Sequence, residues 1–246
     1  MRSSIVLISD SNFTTVGSSS ISYGGGVYLQ DSEVNFENTT FEGNRATSGG
    51  AIAHLCSSIS KCSLKISNSI LKGNSVSLKG GAIYYNFRPP QIGNGNTFSN
   101  NSASYGNNLG SFPVRIGKIG SKNGEPMRIK DATSGLRIKT PIELAIFDFD
   151  NQVMELDSSS QINIFPISKN TSIKGINTAI VKKGSALFNN LVVVSEPGSN
   201  RNELEISSNI IDKAKVALAF DNQIVHPKLI IDFNYCKPGE QVIGIQ

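Results

Sequence analysis

The chain has 246 residues, a formal charge of +4 and a pI near 8.9, with 38% hydrophobic and 17% charged residues. That is enough apolar material for a core and one large or two ordinary domains, which excludes global disorder. The basic excess sits in residues 1–118 but forms no Lys/Arg run, which argues against a nucleic-acid footprint, and no apolar run approaches the ~20 residues a bilayer helix needs.

From the N-terminus, "VLISDSNF" at 6–13 places Val6, Ile8 and Phe13 where later segments repeat them. The segments "NTTFEGNRA" (38–46), "NSILKGNSV" (68–76) and "GNTFSNNSA" (95–103) align without gaps. Phe41, Leu71 and Phe98 share one column; Asn44, Asn74 and Asn101 share another; Ala46, Val76 and Ala103 a third. Asn38 and Asn68 share a column that Gly95 breaks, preceded by Val34/Leu64 and Phe36/Ile66. Each segment leads to a glycine pair: Gly24-Gly25, Gly49-Gly50, Gly80-Gly81, and the degenerate Tyr105-Gly106. The second positions of these pairs are 25, 31 and 25 residues apart. Alternating apolar residues within each repeat are the period of strands rather than helices, and repeats of this length make stacked architectures. The expectation is an all-β fold whose first part, residues 1–118, is a parallel β-helix of about four coils. Glycine pairs take the tight corners, Phe41, Leu71 and Phe98 stack inside, and Asn44, Asn74 and Asn101 form a side-chain ladder while occupying left-handed corners.

The Gly-Gly-Ala-Ile and Phe-x-x-Asn strings in phase (Phe41…Asn44, Phe98…Asn101, with Leu71…Asn74 as a variant) resemble the repeat of chlamydial polymorphic outer-membrane proteins, also found in very large ciliate surface proteins. The resemblance covers roughly residues 1–110. It implies a right-handed β-helix displayed outside the cell, often adhesive. The strands after the repeats do not read as the membrane barrel of the bacterial proteins.

"HLCSSISKCS" (54–63) is extra length in one repeat and reads as an inserted loop. Cys56 and Cys62 at its ends are expected to form a disulfide, leaving Cys236 free. His54 and His226 lack partners at metal-ligand spacing and are expected to be structural. The sequons at Asn12, Asn38, Asn100 and Asn170 permit glycosylation, although Asn38 is placed in the ladder, where a glycan would clash.

Residues 119–134 read as a linker. Runs at 142–149, 161–167, 178–183, 191–195, 203–207, 216–220 ("VALAF") and 228–233 read as strands of a β-sandwich over 135–235, with no helix. Gly184, Ala186, Phe188, Leu191 and Pro197-Gly198 resemble the pattern of bacterial-type immunoglobulin-like domains, which implies a spacer. "FNYCKPGEQVIGIQ" resembles the opening of a cysteine-rich module over 236–246, as in the ciliate proteins. The initial Met is read as an internal start within a longer protein.

"GLRIKT" contains the Arg137-Ile138-Lys139 string of polygalacturonases. Glycoside hydrolysis needs paired carboxylates; the chain has no Gly-His-Gly, and "NTT" at 38–40 lacks the acid of that family's motif. Arg137 and Lys139 are expected on the exposed side of a strand. "DFDN" (148–151) could supply oxygen ligands to calcium, against the simpler reading of a hairpin end. No catalytic residue, metal or cofactor is assigned. The expected role is structural or adhesive in a cell-surface or secreted protein, with other surface proteins or glycans as partners. The alternatives are a polysaccharide-binding or pectin lyase-like polysaccharide-cleaving β-helix and an autotransporter passenger.

Overall fold

A computed structural model describes residues 5–16, 22–58, 62–121, 125–219 and 228–237. The chain divides into two compact units: Met1–Phe112 with Asp148–Gln152 and Ala214–Asn222, and Pro113–Phe147 with Val153–Lys213 and Gln223–Gln246.

Unit 1 begins with β1 (Ile5–Ser9) and β2 (Asn12–Thr14). The next turn runs through β3 (Val27–Gln30), β4 (Glu33–Glu37), β5 (Thr40–Glu42) and β6 (Arg45–Ser48). Then come β7 (Ile52–Leu55), β8 (Ser63–Ser67), β9 (Ile70–Lys72) and β10 (Ser75–Lys79). The series ends with β11 (Ile83–Tyr85), β12 (Gln91–Ile92), β13 (Thr97–Ser99) and β14 (Leu109–Gly110). Among the described residues of this unit, no strand pairs with its chain neighbour. Each pairs in parallel with its counterpart one turn away, giving the orders β1-β4-β8-β12, β2-β5-β9-β13, β3-β7-β11-β14 and β6-β10. This is a β-solenoid of about four turns, as the repeat spacing led us to expect.

Parallel registry puts like residues on like residues. Phe13, Phe41, Leu71 and Phe98 are successive partners; so are Val6, Val34 and Leu64, and Ile8, Phe36 and Ile66. Ile52 pairs with both Val27 and Ile83. Phe41 and Leu71 are fully buried, and the Phe13 and Phe41 rings stack at 4.9 Å. Each such side chain contributes about 1.5–3 kcal/mol by leaving water. A single turn has no second layer to cover its apolar face, so stability is a sum over neighbouring turns.

Unit 2 contains β15 (Pro113–Gly117), β16 (Met127–Ala132), β17 (Ile142–Asp148), β18 (Gln161–Pro166), β19 (Ser172–Ile173) and β20 (Thr178–Ile180). These are followed by β21 (Ser185–Phe188), β22 (Val193–Val194), β23 (Asn202–Ser208) and β24 (Lys228–Phe233). Asp148, the last residue of β17, falls in unit 1. The sheets run β15-β17-β21, β16-β24-β23-β18-β20 and β19-β22. Leu144 and Ile146, Ala186 and Phe188, Ile162 and Ile164, Leu204 and Ile206, and Leu229 and Ile231 share one core. Their i, i+2 spacing is what half-buried strands require.

Three expectations in the second half fail. "VALAF" is not a strand over its described residues: α1 (Lys213–Ala219) takes in Val216–Ala219, with Val216 as its buried residue. Lys-Ala-Lys-Val-Ala-Leu-Ala consists almost wholly of strong helix formers, and an apolar run this short cannot report its own period. Within the stretch read as a linker, Met127–Ala132 forms β16, paired in parallel with β24; Met127 and Ile129 pack on the core, an alternation that Lys and Arg between them conceal. Arg137 and Lys139 are exposed, yet they sit on no regular strand: Arg137 makes a single bridge to Val192, and Ile138 between them is buried.

Phe41→Ala and Leu71→Ala are expected to lower unfolding stability by about 2–5 kcal/mol each. Glu42→Ala, which loses only a half-exposed ion pair with Lys72, should cost less than about 1 kcal/mol. Urea unfolding of the three variants measures this; comparable losses in all three would contradict the stacked interior.

Candidate functional site

The repeat residues gather into columns at the solenoid corners. Left-handed backbone recurs in three of them: Asp10, Asn38, Asn68 and Gly95; Thr15, Gly43, Gly73 and Asn100; and Gly24, Gly49, Gly80 and Gly106, all with φ between 48° and 74°. Gly95 therefore replaces Asn in the one conformation both residues tolerate. In the glycine pairs the two members do different jobs. Gly24, Gly49 and Gly80 carry the positive φ, and so does Gly106, so the fourth corner is Gly106-Asn107 and not Tyr105-Gly106 as the sequence suggested. Gly25, Gly50 and Gly81 lie against the next turn, where a Cβ would strike the carbonyl oxygens of Gly50, Gly81 and Asn107.

Asn44, Asn74 and Asn101 form the expected ladder but do not occupy the left-handed corners; the residue before each of them does. All three are buried. The Asn44 backbone N–H and Nδ2 both donate to Asn74 Oδ1, at 3.1 and 3.0 Å, while Nδ2 also donates to the Phe13 carbonyl at 2.8 Å. Asn74 repeats this with Asn101 Oδ1 at 3.0 Å and the Phe41 carbonyl at 3.0 Å. Asn101 donates to Leu71 O and closes the ladder on Asn108 Oδ1 at 3.1 Å. Every rung satisfies backbone groups that the corner would otherwise leave buried and unpaired. Asn38 is exposed, so it is not a ladder residue.

A second polar column escaped the sequence reading. The Thr39 N–H donates to Ser69 Oγ and the Ser69 N–H to Asn96 Oδ1, at 3.1 and 3.0 Å. Thr39 and Ser69 are fully buried. Thr, Ser and Asn share only a side-chain oxygen, so identity matching misses the column; aligning by acceptor atom would have found it.

The inserted loop follows β7. Cys56 and Cys62 form a disulfide with a Cα–Cα distance of 5.9 Å, and Cys236 is free and exposed. Loop and solenoid are tied together: the Ser57 N–H and Oγ donate to the Asp31 carboxylate at 2.6 and 2.8 Å, and the Cys56 N–H donates to Asn86 Oδ1 at 2.7 Å. The Ser57 bonds hold the Asp31 carboxyl below its ordinary range. His54 is not the isolated histidine expected: fully buried, it places Nε2 3.0 Å from Cys62 Sγ and 3.8 Å from Cys56 Sγ. Burial lowers its pKa and keeps the ring neutral. The signal lay in the sequence as His-x-Cys. His226 and most of residues 236–246 lie outside the described residues.

The "DFDN" stretch runs from the last residue of β17 into a turn, with Asn151 at φ 63°. Its carboxylates are engaged inside unit 1: the Tyr105 hydroxyl donates to Asp148 Oδ2, the Gln152 N–H donates to Asp148 Oδ1 at 2.8 Å, and the Tyr85 hydroxyl donates to Asp150 Oδ2 at 2.9 Å. Burial raises the pKa of both phenols and of Asp150.

Residues 38–54 match the family model of the Chlamydia polymorphic membrane protein repeat. The matched stretch begins at the Asn38 corner and takes in Phe41, ladder residue Asn44 and the Gly49-Gly50 pair, ending at His54. No curated protein matches the chain.

Asn74→Ala removes a rung and strands buried partners on both sides; about 3 kcal/mol or more of unfolding stability should be lost. Asn94→Ala, at an exposed position, should stay within about 0.5 kcal/mol. Equal effects in denaturant titrations would remove the ladder from the account. Asp150 yields a pH test. Its raised folded pKa means the fold retains a proton that the unfolded chain releases first, so its contribution falls as pH rises through the carboxylate range. Asp150→Asn, whose amide oxygen still accepts from Tyr85, should match wild type at acid pH and gain on it towards neutrality. Parallel stability curves would overturn this.

Proposed function

We propose that the chain is a non-catalytic structural part of a cell-surface or secreted protein, with the solenoid as an adhesive or display surface. The observation that carries the reading is the repeat match at 38–54, which falls on the corner, core and ladder residues that define one turn. A surface location draws further support from the Cys56–Cys62 disulfide, since such bonds persist in oxidising compartments. In this reading the solenoid is right-handed, the hand adopted by almost all parallel β-crossovers. The second unit serves as an immunoglobulin-like spacer. The shared core of its two larger sheets supports this, as does the buried trio Ala186, Phe188 and Leu191 after Gly184. Partners are other surface proteins or glycans, and residues from Cys236 onward open a further cysteine-rich module.

Antibody raised against the chain should label intact cells of the source organism without permeabilisation; labelling only after permeabilisation would overturn the surface assignment. Purified protein should release no reducing ends from pectin or pectate, with or without Ca²⁺. Turnover abolished by Arg137→Ala would select the polysaccharide-cleaving alternative instead.

A further inference from the structure

His54, Cys56 and Cys62 are 0%, 5% and 1% exposed, and their Nε2 and Sγ atoms all lie within 4.8 Å of one another. We propose that these three residues form a redox-gated site for a soft d¹⁰ metal ion such as Zn²⁺: the disulfide is the closed form and the dithiol is the metal-binding form. Two thiolates and an imidazole are the donor set that favours such ions over Ca²⁺ or Mg²⁺.

The geometry is close to what the ion needs. Tetrahedral Zn²⁺, with Zn–S about 2.3 Å and Zn–N about 2.0 Å, places N and S about 3.5 Å apart. The two observed Nε2···Sγ distances, 3.0 and 3.8 Å, bracket that value. Only the two sulfurs must separate, to about 3.8 Å, and a Cα–Cα distance of 5.9 Å leaves their side chains room to do so. The Ser32 carbonyl oxygen, 3.3 Å from Nε2, lies beside the cluster as a further oxygen donor.

The histidine is set up for the exchange. With the disulfide closed, Nε2–H donates to Ser32 O, and the buried Nδ1 has no hydrogen-bond partner. A proton can therefore move to Nδ1 without breaking a bond there, freeing the Nε2 lone pair. A dithiol delivers two electrons and two protons to the Sγ–Sγ bond, giving two thiols, and itself becomes a disulfide. Zn²⁺ then displaces both thiol protons to solvent as two S–Zn bonds and one N–Zn bond form.

The test uses the full chain carrying Cys236→Ser, which removes the exposed thiol. Protein reduced anaerobically with a phosphine should bind one Co²⁺ per chain with thiolate-to-cobalt charge-transfer absorption, and one equivalent of Zn²⁺ should displace it. Zn²⁺ should protect Cys56 and Cys62 from alkylation, and the oxidised chain should show no such absorption. His54→Gln should still form the disulfide but should weaken Co²⁺ binding by more than the ~10–100-fold typical of losing an outer-shell partner. Absence of the charge-transfer band in reduced protein that keeps its β circular dichroism would overturn the proposal. So would a band undiminished by His54→Gln, or a loss of β structure on reduction that Zn²⁺ does not restore.

Discussion

In the solenoid, backbone groups that leave one turn sideways meet their partners in the next. The pairing runs through the corners as well as the strands: Gly24, Gly25 and Gly26 donate in sequence to Ser48, Gly49 and Gly50, and Gly49, Gly50 and Ala51 to Lys79, Gly80 and Ala82. A turn whose outline differed from its neighbour's would leave buried N–H and C=O groups unpaired, at a cost of about 1–3 kcal/mol each. The demand for a common outline explains the rest. It puts left-handed residues in the same three columns and glycine at the closest approaches. It also stacks Phe13, Phe41, Leu71 and Phe98 in one line.

The polar columns answer a second demand of the same geometry. Where the chain bends between strands, its backbone groups point inward with no strand to receive them. Asn44, Asn74 and Asn101, with a carboxamide that both donates and accepts, each serve the turn before their own, and Asn44 and Asn74 also bond the turn after. Thr39 and Ser69 do a smaller version of this with one hydroxyl each. The ladders and the apolar stack are thus not competing sources of order: the stack supplies most of the burial energy, and the ladders remove the penalty that burial would impose on the corners.

What was legible in the sequence follows from how narrowly each position is constrained. A corner with positive φ and no room for Cβ admits glycine alone, so Gly49-Gly50 and Gly80-Gly81 stand out on first reading. A buried amide that must both donate and accept admits little besides Asn, so that column was visible as well, although its conformation was misplaced by one residue. A position needing only an acceptor oxygen admits Thr, Ser or Asn, and the Thr39–Ser69–Asn96 column was invisible to identity matching. In the second unit no repeat amplifies the signal. The sequence offered one look at 127–132 and one at 213–219, and local composition misled at both. The His54 cluster is hidden for another reason: His54, Cys56 and Cys62 all fall in one stretch that reads as an inserted loop, and nothing in a loop's composition marks the short His-x-Cys spacing as a meeting point.

The loop between β7 and β8 carries one more implication. The preceding turn crosses from β3 to β4 with Asp31 and Ser32 alone, whereas here the chain runs from Cys56 to Cys62 and returns to the same register, Glu33 opposite Ser63. Length has been added on one side of the solenoid without disturbing its pitch. Lengthening a surface loop raises its closure entropy only logarithmically, and the fixed corners on either side absorb none of it. The sides of such a stack can therefore diversify one turn at a time while the scaffold beneath them stays constant. That is how a repetitive protein can present a non-repetitive outer face.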